Sequence, residues 1–521
     1  MASNRYTTYG VIAMVIAFAF AFAFAFAVSA QTADYNNAQM RSSSSPYLRQ
    51  HATSPIDWLP YSESGLAEAR LANRLIFLSI GYATCHWCHV MTRESFHDPA
   101  VAKVLNNFYI SIKMDRDQHP EADSYYNQLL ELAGGTSGWP LNGILLPDGT
   151  PVWLGNYLTT DRLITLLSAF ADHYDRRSDD LKTQANIYRG VISILGDNRS
   201  AKSSTHSIET SQEARDQLLA KQDLIYGGVQ GDRKFITTEN IDLLWSAFDE
   251  TADLRFKAAA LKELDGMLNG QVYDPLFGGF FRYASARDWG TPHFEKLLET
   301  QLDAIQIFSE AYERTDIIRY KIVAEDTVSF IESQLQLEGT PAFVTGINSE
   351  YLEQDGARYL LSDDQFRAIK DAFPNVRGAK YGQGWLTSLV GDGFLELDGL
   401  RKIYRDIVPD FTDPPLRDEK VMIAANARMV QILKAHASRT NNERAEQMSA
   451  ALIKFLCING RADEGTVLRQ IGLGATLPAS AAEILALVQA SRLMAVPASC
   501  EWLPRQPDST TWKVHNPRNE Y

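Results

Sequence analysis

A chain of 521 residues is too long for one ordinary hydrophobic core, so at least two domains are expected. Its composition, 45% hydrophobic and 22% charged, is that of a folded globular protein. A net charge of −14 argues against a nucleic-acid or anionic-membrane surface, and four cysteines are too few for a disulfide-scaffolded secreted domain.

The N-terminus reads as an export signal. Arg5 is a thin positive start, residues 11–28 are uninterrupted apolar sequence, and Val28-Ser29-Ala30 precedes a cleavage point at Gln31. Residues 1–30 are therefore set apart from the fold, as a cleaved signal or, if uncleaved, an N-terminal membrane anchor. Either form places the rest outside the cytoplasm, in the periplasm of a Gram-negative source. Residues 31–45 are polar and Ser-rich and are expected to be disordered.

Residues 46–172 alternate strand and helix signals. Helical Ser64 to Ala72 leads into the apolar strand Leu75 to Ile80. Gly81 to Thr84 is a loop, and Cys85-His86-Trp87-Cys88-His89 opens a helix. Asp98-Pro99 is an N-cap with proline at the first helical position, opening a helix to Asn107. A strand over Tyr109 to Lys113, a helix over Tyr125 to Leu132 and two strands joined by Pro147-Asp148-Gly149 follow. Strand, CxxC, helix, strand, helix and hairpin is the order of a thioredoxin-like domain.

Residues 173–212 read as a polar connector with one helix, 213–495 as predominantly helical, and 496–521 as a tail. Tyr226-Gly227-Gly228-Val229 recurs 51 residues later as Phe277-Gly278-Gly279-Phe280. That period fits one long helical hairpin per repeat, an α/α toroid with five to six hairpins.

Three readings compete for the CxxC. A zinc site needs a second ligand pair, and Cys457 and Cys500 are not spaced as one. A structural disulfide is the second reading. The third is a redox dithiol, which the strand, loop and helix order favours. A thiol at a helix start faces unpaired N–H groups that stabilise its thiolate. A cationic His86 beside it would favour the reduced form and make the pair more oxidising. Trp87 would shield the buried sulfur or sit as a plain surface aromatic. Cys457, in an apolar helix, reads as a small buried hydrophobe, with pairing to Cys500 open. No cofactor beyond the cysteine pair and no metal is implied.

Ser45-Pro46-Tyr47-Leu48-Arg49-Gln50-His51 and Pro55-Ile56-Asp57-Trp58 resemble the opening of the spermatogenesis-associated protein 20 family. The cysteine segment through Met91, Glu94-Ser95-Phe96, Ile112 to Asp117 and Gly138-Trp139-Pro140-Leu141-Asn142 extend the resemblance over residues 45–160. It implies a thioredoxin-like domain followed by a six-hairpin glycosidase-like α/α toroid, with Pro140 as the cis-proline beside the dithiol. In the second domain, Gly278 to Tyr283, Pro292 to Leu298 and Gln301 look like the family, as do Gly228 and Lys234-Phe235.

Elsewhere the chain departs. Thr345 to Glu350 stands where the family has Asp-Ala-Asp-Ser-Glu, and Lys420 to Asn426 where it has Asp-Trp-Asn after Lys-Val, so a glycosidase-like cleft in the toroid is expected to be incomplete or inactive. His293 and Glu295 are its candidate acid and base for epimerisation or glycoside chemistry, or else interior stabilisers. Arg282, Tyr283 and Trp289 are candidate sugar-pocket residues or core. The combined expectation is a thiol–disulfide oxidoreductase acting through Cys85, Cys88, His86, Trp87 and Pro140 on protein disulfides or thiols. A carbohydrate-active enzyme binding its sugar at His293, Glu295, Arg282 and Tyr283, and a non-catalytic binding protein, are the alternatives.

Overall fold

The structure, a computed structural model, describes residues 37–200, 212–408, 413–462, 466–472 and 474–493. The apolar segment 11–28 and Cys500 lie outside them. Among the described residues no helix is long and apolar enough to cross a membrane.

The N-terminal domain is built on one five-stranded sheet. Its elements are β1 (Trp58–Pro60), α1 (Glu63–Ala72), β2 (Leu75–Gly81), α2 (His86–Met91), α3 (Pro99–Phe108), β3 (Tyr109–Asp115), α4 (Pro120–Leu132), β4 (Leu141–Leu145), β5 (Pro151–Gly155) and α5 (Thr160–Ser200). The strand order is β1-β3-β2-β4-β5. β1, β2 and β3 run parallel, β4 pairs antiparallel with β2, and β5 pairs antiparallel with β4. β2 is buried along its whole length, as a central strand covered on both faces must be. Its alternate residues go to opposite cores: Leu75 and Phe77 pack with the cysteines, and Ile76, Leu78 and Ile80 pack under α1 and α4. Asp98 caps α3 as its sequence predicts, accepting from the N–H groups of Ala100 and Val101.

One expectation changes here, and the helix expected in the connector is present. Residues 37–45 are ordered: Ala38–Arg41 is a helical turn that buries Met40, and Ser45 caps the turn Pro46–Arg49. The segment is polar in composition, but one buried methionine and the side chain of Asn37, which donates to three carbonyls, fasten it to the domain. The connector is largely α5, a helical run broken in backbone geometry at Arg177.

The second domain is helix-rich and of α/α toroid type. Its helices are α6 (Gln212–Ala220), α7 (Glu239–Thr251), α8 (Leu254–Asn269), α9 (Leu298–Thr315), α10 (Ile318–Phe330), α11 (Asp363–Ala372), α12 (Leu397–Ile407), α13 (Ile423–Thr440), α14 (Glu443–Asn459) and α15 (Ala481–Leu493). α7–α8, α9–α10 and α13–α14 are hairpins that turn through a left-handed residue, Ala252, Asp316 and Asn441 in turn. α11 and α12 are separated instead by the strands β13 (Val376–Tyr381) and β14 (Gly384–Leu389), which take up length that another hairpin would use. α9 and α13 are buried on nearly every face and form the interior.

The double-glycine repeat is structural. At both copies the two glycines are left-handed, with φ of 81° and 77° at Gly227 and Gly228, and 82° and 71° at Gly278 and Gly279. In each, an aspartate (Asp223 or Asp274) caps the turn and takes an ion pair from a buried lysine. Those lysines are Lys234 and Lys296, and each also donates to a glycine carbonyl, of Gly227 or Gly278. The lysines sit in short strands, β6 (Lys234–Phe235) and β9 (Lys296–Leu297).

Candidate functional site

Cys85 is the N-cap of α2, and its Sγ accepts the Cys88 N–H at 3.2 Å. The two sulfurs are bonded to each other, and both cysteines are buried, each 2% exposed. They follow the loop that leaves β2, and the Trp139–Pro140 peptide, cis as the resemblance implies, precedes Leu141 of β4, which pairs with Ile80 of β2. Trp87 projects outward, 43% exposed, with its ring 5.4 Å from that of Tyr157, so it is the exposed face of the motif rather than a cover for the sulfur. Tyr82 packs edge-on to Trp139 with ring centroids 5.9 Å apart. Arg116 lies 4.2 Å from both rings and Arg282, from the toroid, 5.4 Å from both.

The toroid residues singled out in the sequence converge on this motif. Glu295 Oε1 accepts the His86 N–H at 3.0 Å and lies 3.4 Å from the Tyr82 hydroxyl, which donates to it. Its Oε2 accepts from Arg282 at 3.2 Å. Burial alone would push the Glu295 pKa up, but Arg282, the His86 N–H and His293 outweigh it and hold the carboxyl below its ordinary range. Arg282 precedes β7 (Tyr283–Ala284), and His293 ends β8 (Pro292–His293). His293 stacks on Tyr283 with centroids 4.1 Å apart and planes 12° off parallel. Burial pushes its pKa down to about 4, so it is a neutral imidazole at pH 7.

Further residues complete the site that sequence reasoning did not name. Glu350, at the start of β11 (Glu350–Tyr351), reaches both histidines of the cysteine motif. Its Oε1 is 2.9 Å from His86 Nδ1, its Oε2 is 3.6 Å from His89 Nδ1, and Arg93 grips both oxygens at 2.8 and 3.0 Å. Asp355, from β12 (Gln354–Asp355), lies 3.7 Å from His86 Nδ1. Burial works against a charged His86, but the hydrogen bond to Glu350 and the charges of Asp355, Glu350 and Glu295 outweigh it and raise its pKa above the ordinary value. Glu350 is held far below the carboxylate range by the same contacts, against its own burial. His89 Nε2 lies 2.8 Å from the Ala83 carbonyl, which can only accept, so Nε2 carries hydrogen. Glu350 was legible in one respect: Ser349-Glu350 keeps the Ser-Glu end of the acidic segment that the chain otherwise lacks.

Other candidates go elsewhere. Trp289 is core: 1% exposed, it donates from Nε1 to the Tyr226 carbonyl at 3.1 Å. Cys457 is buried as expected, but it is disulfide-bonded rather than a plain hydrophobe. Gln301 clamps the Phe280 backbone, accepting its N–H and donating to its carbonyl, each at 2.7 Å. Asn426 does the same for Phe343 at 2.9 Å.

Residues 37–192 match the family Thioredox_DsbH, described as "Protein of unknown function, DUF255". The chain is 33% identical over 307 residues to human spermatogenesis-associated protein 20, covering 56% of this chain and 38% of that one. The chain is thus similar to spermatogenesis-associated protein 20 over 56% of its own length. It is also 32% identical over 400 residues to the uncharacterized protein B0495.5 of Caenorhabditis elegans, covering 74% of this chain and 51% of the relative. The chain thus spans about half the length, or less, of these relatives.

Among solved structures it is similar to the cellobiose 2-epimerase of Spirochaeta thermophila, at 12% identity and a TM-score of 0.24 over 54% of this chain and 93% of that one. It is also similar to an unsaturated glucuronyl hydrolase specific for heparin, at 10% identity and 0.30 over 74% and 81%. Likeness of that order says nothing about what this chain does.

Proposed function

We propose that the protein is an exported thiol–disulfide oxidoreductase whose reacting groups are Cys85 and Cys88. The observation that carries the reading is a vicinal cysteine pair at a strand–loop–helix junction, with Cys85 as the helix cap and the cis Trp139–Pro140 peptide at the start of the neighbouring strand β4. The N–H of Cys88, aimed at Cys85 Sγ, favours the thiolate there. In the reduced protein, Cys85 thiolate attacks one sulfur of a substrate disulfide, and the other sulfur leaves as a thiolate that takes a proton. Cys88 then gives up its proton and attacks Cys85 Sγ, releasing the second substrate thiol. The substrate gains two electrons and two protons, the cysteines become a disulfide, and an external dithiol must restore them. The same steps reversed oxidise a substrate dithiol.

A sugar-converting toroid has less support. Glu295, the carboxylate such chemistry would use, is 2% exposed and committed to His86 and Arg282. The decisive assay is dithiothreitol-dependent reduction of insulin. Wild type should accelerate it and Cys85→Ser should abolish the acceleration; a wild type without effect on insulin or on any other disulfide would sink the reading. Export rests on the composition of residues 1–30, and N-terminal sequencing of the mature protein should begin at Gln31. A mature chain that still begins near Met1 would count against cleavage.

A further inference from the structure

The geometry points to Glu350 as a positioning residue of the dithiol: a carboxylate from the second domain holds the His86 imidazole of the CxxC in its charged form, so the toroid sets the redox poise of the thioredoxin-like domain. The inference rests on the dithiol being redox-active. His86 is covalently next to Cys85, and Glu350 reaches the site through it, at 2.9 Å from Nδ1. Glu350 is itself fixed by the paired hydrogen bonds from Arg93 at 2.8 and 3.0 Å, and its side chain is only 7% exposed, so its position is not free to drift.

The other charged and titratable groups facing His86 are Asp355, at 3.7 Å from Nδ1, Glu295 on the His86 N–H, and His293. Arg282 neutralises Glu295, and His293 is neutral at pH 7. Asp355 is farther away and has an Oδ1 without a hydrogen-bond partner. Glu350 is therefore the group in direct contact with the imidazole. A cation next to the sulfur stabilises the thiolate and hence the reduced pair. Removing Glu350 removes one negative charge and, by lowering the His86 pKa, one positive charge. The positive charge belongs to the residue bonded to Cys85, so its loss is expected to decide the sign.

The test is the equilibrium of the full-length protein with a glutathione redox buffer, followed by Trp87 fluorescence or thiol trapping. Glu350→Gln should lower the equilibrium constant for reduction about tenfold at pH 7, ~30 mV more negative for this two-electron couple. Glu350→Asp should recover part of the shift. In a His86→Gln background, Glu350→Gln should have no further effect, whereas a merely structural role would act in both backgrounds. In wild type the constant should show a pH break above the ordinary histidine value of about 6.5 that His86→Gln lacks. That measurement stands even if the Glu350 variants do not fold. Equal constants for wild type and Glu350→Gln, or no such break, overturn the inference. A wild type that never equilibrates with glutathione overturns the dithiol reading itself.

Discussion

Gly81, the last residue of β2, shows how closely the site is packed. A Cβ there would fall 2.5 Å from the Tyr47 hydroxyl oxygen and 2.7 Å from Cys88 Sγ. Pairing of Gly81 with Asp115 on β3 holds the backbone, so the strand cannot retreat. Tyr47 belongs to the Ser45–His51 motif, and Ser45 in the same motif donates to the Asp115 carboxylate, so that motif is the wall behind the dithiol. Gly81→Ala should cost about 1–3 kcal/mol through overpacking and displace Cys88 Sγ, slowing resolution of a mixed disulfide. A denaturation midpoint and a Cys85–Cys88 closure rate equal to wild type would mean that Tyr47 swings aside freely. The sequence alone made the cysteines legible because their chemistry is local. It did not make Glu350 legible as a partner of His86, because 264 residues separate them and no spacing rule reaches that far.

At the scale of elements, the thioredoxin-like order was readable because each element carries its own signal. β2 is an unbroken apolar run, α3 has its Asp-Pro start, and β4 and β5 flank a Pro-Asp-Gly turn. The second domain was less readable, for two physical reasons. Apart from the local hairpins β11–β12 and β13–β14, its strands are two-residue pairs whose hydrogen bonds come from distant chain segments, such as β10 (Gly346–Ile347) between β9 and β15 (Arg417–Asp418), so no periodicity announces them. Its polar residues are also buried as structure. Gln301 on α9 and Asn426 on α13 each pair both donor and acceptor with the backbone of one phenylalanine, Phe280 and Phe343 in turn. A buried peptide group left unpaired costs about 1–3 kcal/mol, and the amide side chain offsets that at a point where the strands are too short to do so. The double glycines, by contrast, were readable, because φ near 80° is a backbone demand that the sequence must meet locally.

At the scale of the whole molecule, the two domains are joined by buried charge as well as by the dithiol contacts. Lys420, fully buried, lies 2.5 Å from Asp115, 2.8 Å from Asp117 and 3.2 Å from Asp418. Asp115 and Asp117 end the Ile112–Asp117 motif of the first domain, while Asp418 and Lys420 come from the second. Arg469 adds a second bond across the boundary, donating to the Gln118 carbonyl at 2.6 Å and to Glu121 at 2.7 Å. Burial pushes the Asp418 pKa up to about 6 even with the lysine beside it, and Asp115 is raised for the same reason. Lys420→Met would leave these carboxylates buried without a cation, a loss of about 3–5 kcal/mol. The pH dependence has a definite sign. Without the lysine the folded-state pKa values rise further above the unfolded value of about 3.9, so the folded state binds more protons than the unfolded one in that window. Stability is then lost as pH rises, and the deficit against wild type should be small near pH 4 and largest above pH 7. Urea midpoints of wild type and Lys420→Met across that range measure it. A deficit independent of pH would mean that the methionine disturbs packing rather than charge.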